Sequence, residues 1–259
     1  MNSATAALNA IATRVETAGL VMDFDGVLSP IIDDPSVSEL LPGTEELLAS
    51  LATKLRRVAL LSGRPVDFLA RRVTIPGVAL YGSYGLEQQI GGGISVLGDA
   101  ERWMPNMQAA TQWLHRELDG VDGIHVEDKT LAVAVHWRRA TDHAAAAEAI
   151  DPLIQQAASQ HGLRREPGKF VDELRIPVNQ DKGTALDRIM NEGGLEVTAY
   201  AGDDRGDLPA FRAVSVAKGH ALIVHGPDMA PDVETVTGAH FRGPEDFQLW
   251  LKRLDRATS

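Results

Sequence analysis

The 259-residue chain has no cysteine, so disulfide frameworks, thiolate metal centres and cysteine nucleophiles are all excluded. Absence of cysteine also fits a reducing cytosol. Basic residues are in short supply: 25 Lys and Arg stand against 36 Asp and Glu, a formal net charge of −11. Nucleic acid is therefore not an expected partner, because its affinity rests on a basic patch that releases counterions. An acidic protein that handles anions needs a local cation to do so. No apolar run approaches the 18 or so residues of a membrane span. The opening residues "MNSATAALNAIATRVETAGL" lack a basic region followed by an apolar one, so no signal peptide is expected and the location expected is cytoplasmic. P-loop, dinucleotide fingerprint and His-x-x-x-His zinc pattern are absent too, and apart from Ala144–Ala147 there is no repeat or low-complexity tract. No feature calls for a second copy, and a monomer is the expectation.

Composition is that of an ordinary globular protein, 44% hydrophobic and 24% charged. Strand and helix signals alternate along the first hundred residues. Leu20–Phe24, "RVALL" (57 to 61) and "VALYGS" (78 to 83) read as buried strands. Between them, "PGTEELLASLATKL" (42 to 55), with Thr44 as candidate cap, and "PVDFLARRV" (65 to 73) read as helices. Such alternation implies right-handed βαβ units and a parallel sheet. The middle differs. A helix around Met107–Leu118 precedes "HVEDKTLAVAVHWRR" (125 to 139), which alternates like a half-buried antiparallel pair. A second helix near Asp142–His161 leads to another alternating strand, "KFVDELRIP" (169 to 177). "GGG" (91 to 93) reads as a hairpin turn or connection, since no helix starts directly after it. After Pro177 the α/β pattern resumes, with helices at 182 to 193, 208 to 214 and 244 to 254, and strands at 197 to 202 and 221 to 226. The expected fold class is α/β: a parallel-sheet core, residues 1–103 and 179–259, interrupted by an α+β module at 104–178.

The acidic residues concentrate where the strands stop. "LVMDFDGV" ends the first strand with Asp23 and Asp25, then Gly26, which permits a bend. The crevice beyond the carboxyl ends of a parallel sheet is where such sheets bind ligands. Two carboxylates this close are costly to ionise together without a cation, and Mg²⁺, which takes oxygen ligands, resolves the conflict. Alone, the pair could also be an acidic turn after a strand. "LLSGR" brings Ser62 and Arg64 to the second strand end as donors for an anion. "YAGDDRGD" brings Asp203, Asp204 and Asp207 to a later one, as a solvated loop or as metal ligands. Lys182 opens a helix, where the dipole gives it no advantage; solvent exposure or an anionic partner would each explain it. In conjunction these residues supply what phosphoryl transfer needs: a nucleophile, charge clamps and a metal. Asp23 would attack phosphorus and Asp25 would protonate the leaving alcohol and then activate water. His136 and His115 have no sequence neighbour that points to catalysis.

The four stretches "DFDGV", "LLSGR", Lys182 and "GDDRGD" resemble the motifs of the haloacid-dehalogenase superfamily of phosphatases, in order and around an inserted cap. Within it the chain is similar to the trehalose-6-phosphate phosphatase family, through "SGRP", "YGSYGLE", "VEDKTLAVAVHWR", "GKFVDELRIP", "DKGTAL" and "GDDRGDLPAF". The resemblance implies a Rossmann-like core and Mg²⁺-dependent hydrolysis of a sugar phosphate. It implies Asp23 as nucleophile, Asp25 as general acid/base, and Ser62 and Lys182 as holders of the phosphoryl oxygens. Asp23, the Asp25 carbonyl and Asp203 would bind the metal, with Asp207 beside them. Arg64, Glu127, Lys129, Arg138 and Glu173 would read the sugar. For Glu127 and Lys129 a solvated strand face with cross-strand charge pairs is the plainer alternative. The chain departs from the family at Tyr84, where His is usual, at "RIP", and at Gly206 and Leu208. These lie near substrate-facing loops, which leaves open another sugar phosphate or glycosyl-polyol phosphate as substrate; a non-catalytic sensor is a separate alternative, against which the intact Asp23, Asp25, Lys182 and Asp203 argue. A receiver-type signalling module gathers similar residues but lacks a cap and takes its phosphoryl aspartate from a later strand.

Overall fold

The computed structural model describes residues 3–32, 34–227 and 229–258. The chain divides into two compact units, one of Met1–Ser95 with Gln180–Ser259 and one of Val96–Asn179.

The first unit is built on a long sheet. Before the insertion it receives β1 (Ala18–Met22), β2 (Arg57–Leu61), β3 (Val78–Gly82), β4 (Glu87–Gln89) and β5 (Ile94–Val96). After it come β10 (Val197–Gly202), β11 (His220–Val224) and β12 (Ala239–Phe241), the intervening numbers belonging to the second unit. The order across the sheet is β12-β11-β10-β1-β2-β3-β4-β5. Pairing is parallel from β12 through β3, and β4 turns back antiparallel on β3. Strands buried on both faces can carry unbroken apolar runs, and β1 and β10 are buried at every position. Leu20 and Met22 of β1 join a core with α1 (Ser3–Ala12), α2 (Thr44–Lys54), α3 (Val66–Ala70) and α10 (Pro244–Ala257). Val21 and Tyr200 join the opposite one with α7 (Lys182–Gly193), α8 (Leu208–Val216) and α9 (Pro231–Glu234).

The expected strands at 57–61 and 197–202 and the expected helix at 182–193 have those bounds. Thr44 is not a cap: Gly43 takes the cap position with φ 81°, and Thr44 is the first helical residue, its hydroxyl accepting Gln248 Nε2 at 2.9 Å. Helix α3 is a single short stretch rather than the nine residues its pattern spans, because Arg71 and Arg72 leave the helix for a turn. The glycines at 91 to 93 do join two adjacent strands, β4 and the edge strand β5. These strands, α9 and β12 are only three or four residues each, too short for a periodicity to show.

The second unit is a four-stranded antiparallel sheet in the order β6 (His125–Asp128), β7 (Ala132–His136), β9 (Val171–Arg175), β8 (Arg164–Gly168). It also holds α4 (Gly98–Glu101), α5 (Met104–Leu118) and α6 (His143–His161). Helices α5 and α6 pack on each other and on the sheet. The expected α+β character holds, with two differences. Helix α5 starts at Met104, where Pro105 occupies a first-turn position that needs no N–H. Strand β8, sequence RREPG, gave no strand signal; its proline is tolerated because the strand lies at the sheet edge.

Candidate active site

The strand order places three of the sequence-predicted segments side by side. β1 is central, with β10 on one flank and β2 on the other, all parallel, so their carboxyl ends deliver Asp23, Asp203 and Ser62 to one edge. The β1–β10 ladder runs one step past the strand, Asp23 N–H donating to the Ala201 carbonyl at 2.9 Å, which fixes the Asp23 backbone against the start of the 203–207 loop. Beyond it the chain turns at Gly26, φ 72°, whose N–H donates to the Ser29 carbonyl at 2.8 Å. That glycine is required on two counts. Its φ lies in the left-handed region, and a Cβ there would stand 2.0 Å from Asp203 Oδ2.

Lys182 is not solvated. Asp181 caps α7 with a capping box, and the lysine that follows turns inward, 3% exposed, to donate to Asp23 Oδ2 and Asp207 Oδ1, each at 2.6 Å. Asp207 is completely buried. Its Oδ1 also accepts the Tyr200 hydroxyl, and its Oδ2 accepts the backbone N–H of Asp203 and Asp204 at 2.9 and 3.2 Å. It therefore anchors both the lysine and the acidic loop. Truncating one partner of such a buried pair costs about 3–5 kcal/mol, mostly because the other charge is stranded.

Carboxylate oxygens of Asp23, Asp203, Asp204 and Asp207 all lie within 4.8 Å of one another. Burial, then the Asp23, Asp207 and Asp204 charges, push Asp203 up to about 9. Burial raises Asp23 to about 7, the Lys182 ammonium only partly offsetting burial and the neighbouring Asp207 and Asp204. Asp204 is raised as well, by burial and by Asp207. An all-oxygen, over-charged cluster, buried at Asp23 and Asp207 and open to solvent at Asp204, has the donor chemistry that suits a hard divalent cation, which would restore the ionised forms. Mg²⁺ fits the residues present.

Asp25 is placed differently from Asp23 despite their shared parity. Its carboxylate is taken by Arg64, Nε to Oδ2 at 2.8 Å and Nη2 to Oδ1 at 3.2 Å. The Arg64 guanidinium also donates to the Pro35 carbonyl at 3.0 Å and lies 4.4 Å from the centroid of the Phe68 ring. Ser62 is buried, and its hydroxyl accepts the Arg64 N–H at 3.3 Å. The turns that end β2 and β3 are bolted together. Ser83 N–H donates to the Arg64 carbonyl and Tyr84 N–H to the Ser62 carbonyl, at 2.8 and 2.9 Å. Buried Glu87 accepts Val66 N–H and the Ser83 hydroxyl. Tyr84, with φ 58°, lays its ring against Gly63, where a Cβ would meet it at 3.0 Å.

Within the second unit the sequence-predicted sugar readers fall on one sheet face, except Arg138, which is exposed in the turn after β7. Lys129 Nζ is 2.7 Å from Glu173 Oε2 and 3.8 Å from Glu127 Oε2. His136, which had no partner in sequence, hydrogen-bonds Glu127 Oε2 through Nε2 at 2.9 Å. Sequence reasoning passed over Tyr200 and Glu87, and offered Asp204 only as one of three loop carboxylates. A tyrosine inside a buried strand run was the available signal, since a buried hydroxyl needs a partner.

Comparison with known proteins bears on the chain as a whole. A family model described as trehalose-phosphatase matches residues 21–243. A trehalose-phosphate phosphatase of Mycobacterium tuberculosis is 35% identical over 225 residues, 85% of this chain and 56% of the relative. That of Mycobacterium leprae is 35% identical over 202 residues, 74% of this chain and 46% of the relative. The chain thus spans about half the length of the curated relatives it matches. Among solved structures, a trehalose-6-phosphate phosphatase related protein aligns with TM-score 0.76 at 21% identity, covering 92% of this chain and 97% of the other. The C-terminal domain of the C. albicans trehalose-6-phosphate phosphatase aligns with TM-score 0.71 at 20% identity, covering 98% and 96%. At that identity the structures speak for the fold.

Proposed function

The chain belongs to the trehalose-phosphatase family, and from that premise we propose that it hydrolyses trehalose 6-phosphate to trehalose and phosphate. The observation that carries the reading is the Lys182 ammonium shared between Asp23 and Asp207 inside a four-carboxylate cluster at the end of β1. Such a site is built to receive a dianion alongside a cation.

In this reading Asp23 Oδ1 accepts the Phe24 N–H at 2.7 Å and Oδ2 the Lys182 ammonium, which together fix the carboxylate plane. An Asp23 oxygen forms a bond to phosphorus while the bond from phosphorus to the sugar oxygen breaks, leaving an aspartyl-phosphate. Asp25 gives its proton to the departing alkoxide. It then takes one from water, which attacks phosphorus, releases phosphate and regenerates Asp23. For this, Asp25 exchanges its contact with Arg64 for the leaving oxygen. Lys182 and Ser62 donate to the phosphoryl oxygens, where charge grows in the transition state. Asp23, Asp203, Asp204 and the Asp25 carbonyl would hold Mg²⁺, with Asp207 behind them; when bound it offsets the negative charge of the carboxylates and the phosphoryl group. Glu127, Lys129, Arg138 and Glu173 would read the sugar hydroxyls, carboxylates accepting and cations donating. Residues 104–178 would thus serve specificity, and 1–103 with 179–259 chemistry.

A panel of sugar phosphates assayed for phosphate release with Mg²⁺ tests the substrate. Trehalose 6-phosphate is expected to have the highest kcat/KM. A tenfold preference for another sugar phosphate would reassign it.

A further inference from the structure

We propose that His136 is a positioning residue that sets the substrate preference by holding the Glu127 carboxylate, an inference that rests on the sugar-phosphate reading above. The open face of the small sheet carries a ladder of alternating charge. Glu166 lies between Arg164 and Arg175, at 2.8 and 3.0 Å. Glu173 lies between Arg175 and Lys129, at 3.7 and 2.7 Å. Glu127 lies between Lys129 and His136, at 3.8 and 2.9 Å. Each carboxylate is thus held from two sides, and at the β6 end the second holder is an imidazole instead of a guanidinium.

The pairing is dictated by register. Glu127 on β6 faces Ala134 on β7, and Ala134 faces Glu173 on β9. Because Ala134 has no side chain beyond Cβ, the carboxylates of Glu127 and Glu173 converge over it from both flanks, where Lys129 meets them. His136 is two residues along the same face of β7, the diagonal neighbour of Glu127 and within reach of a long side chain. The other face is mostly apolar, with Val133, Val135 and Leu174 buried beside one ion pair, Arg165 with Asp172. The ring therefore has no apolar core to fill on its own side.

Lys129 is already committed to Glu173 at 2.7 Å, so its 3.8 Å contact is the looser tether on Glu127. The short bond from His136 is the closer of these two holds on the carboxylate. Because the Glu127 oxygen can only accept, the imidazole donates from Nε2. A carboxylate held in place reads a sugar hydroxyl without paying the entropy of being ordered by it. Loss of a hydrogen bond to a charged group supports an effect of about tenfold.

The test compares His136→Ala and His136→Gln with the wild type on trehalose 6-phosphate and on a small aryl phosphate, with Mg²⁺ in excess. Gln places an amide N–H where Nε2 stands. His136→Ala is expected to raise the ratio of the two KM values about tenfold, with kcat on the aryl phosphate and the melting temperature serving as folding controls. His136→Gln is expected to restore the ratio to within about threefold. Alanine and glutamine variants equally impaired, a KM ratio that does not move, or loss on both substrates in step would overturn the inference. A wild type active on the aryl phosphate but inactive on trehalose 6-phosphate would overturn the substrate reading, and the inference with it.

Discussion

Replacing Gly26 by alanine separates backbone strain from damage to the cation site, because Gly43 provides a matched control. Both glycines have φ in the left-handed region, 72° and 81°. A Cβ at Gly43 meets nothing within 4 Å, whereas one at Gly26 would stand 2.0, 2.3 and 2.8 Å from the three carboxyl atoms of Asp203. The conformational cost is shared, about 1–2 kcal/mol, and lowers the melting temperature of a core this size by roughly 2–8 °C. Only Gly26→Ala also drives the Asp203 carboxylate out of the cluster. In the wild type, Mg²⁺ at a hundred times its dissociation constant adds about 2.7 kcal/mol, or roughly 5–10 °C. Thermal melts with Mg²⁺ and with a chelator should show this gain in the wild type and in Gly43→Ala, and its loss in Gly26→Ala. A Gly26→Ala variant that gains as much from Mg²⁺ as the wild type would refute the proposal that Asp203 is a ligand of the cation.

The pH response follows from the same cluster. Asp23 and Asp203 are raised by burial to about 7 and about 9 from 3.8, so without a cation the native state binds more protons than the unfolded one across that span. The chelated protein should melt lower as pH rises from 6 to 8, and the Mg²⁺-induced gain should grow; a flat chelated melt would contradict it. Each proton displaced strengthens cation binding about tenfold per pH unit, which calorimetry at two pH values measures. Asp207→Asn is expected to cost roughly 3 kcal/mol in urea unfolding, since Lys182 keeps only one carboxylate and the new amide N–H faces groups that can only donate; a loss under 1 kcal/mol would show that Asp207 does not anchor the lysine and the loop. Glu127→Ala or Glu173→Ala should raise KM for the disaccharide phosphate far more than for an aryl phosphate. Equal effects on both would remove these carboxylates from sugar recognition.

Much of the architecture is legible in the sequence because buried parallel strands announce themselves. "RVALL" and "VTAYAG" are apolar runs stopped by small or polar residues, and the strands occupy those residues. Edge strands such as β8 and β5 leave no such mark, since one flank of each answers to solvent. Asp23, Ser62 and Asp203 stand out as polar groups at apolar strand ends and Lys182 as a cation at a helix start, and it is their conjunction and order that point to a site. Their connections do not stand out in the same way. That Lys182 reaches back 159 residues to Asp23, or that Arg64 takes Asp25 away from the cluster, depends on which strands adjoin. Tyr200 was hidden for the opposite reason: its aromatic ring suits the strand, and only the structure shows its hydroxyl bonded to Asp207. His136 likewise acquires a partner only once β6 and β7 are in register.

Phosphate release from trehalose 6-phosphate by the wild type and by Asp23→Asn, each with Mg²⁺ and with a chelator, tests the central claim most directly. The account predicts turnover by the wild type with Mg²⁺ alone, and none by the folded Asn variant under either condition. Full activity in Asp23→Asn, or in the chelated wild type, would contradict it.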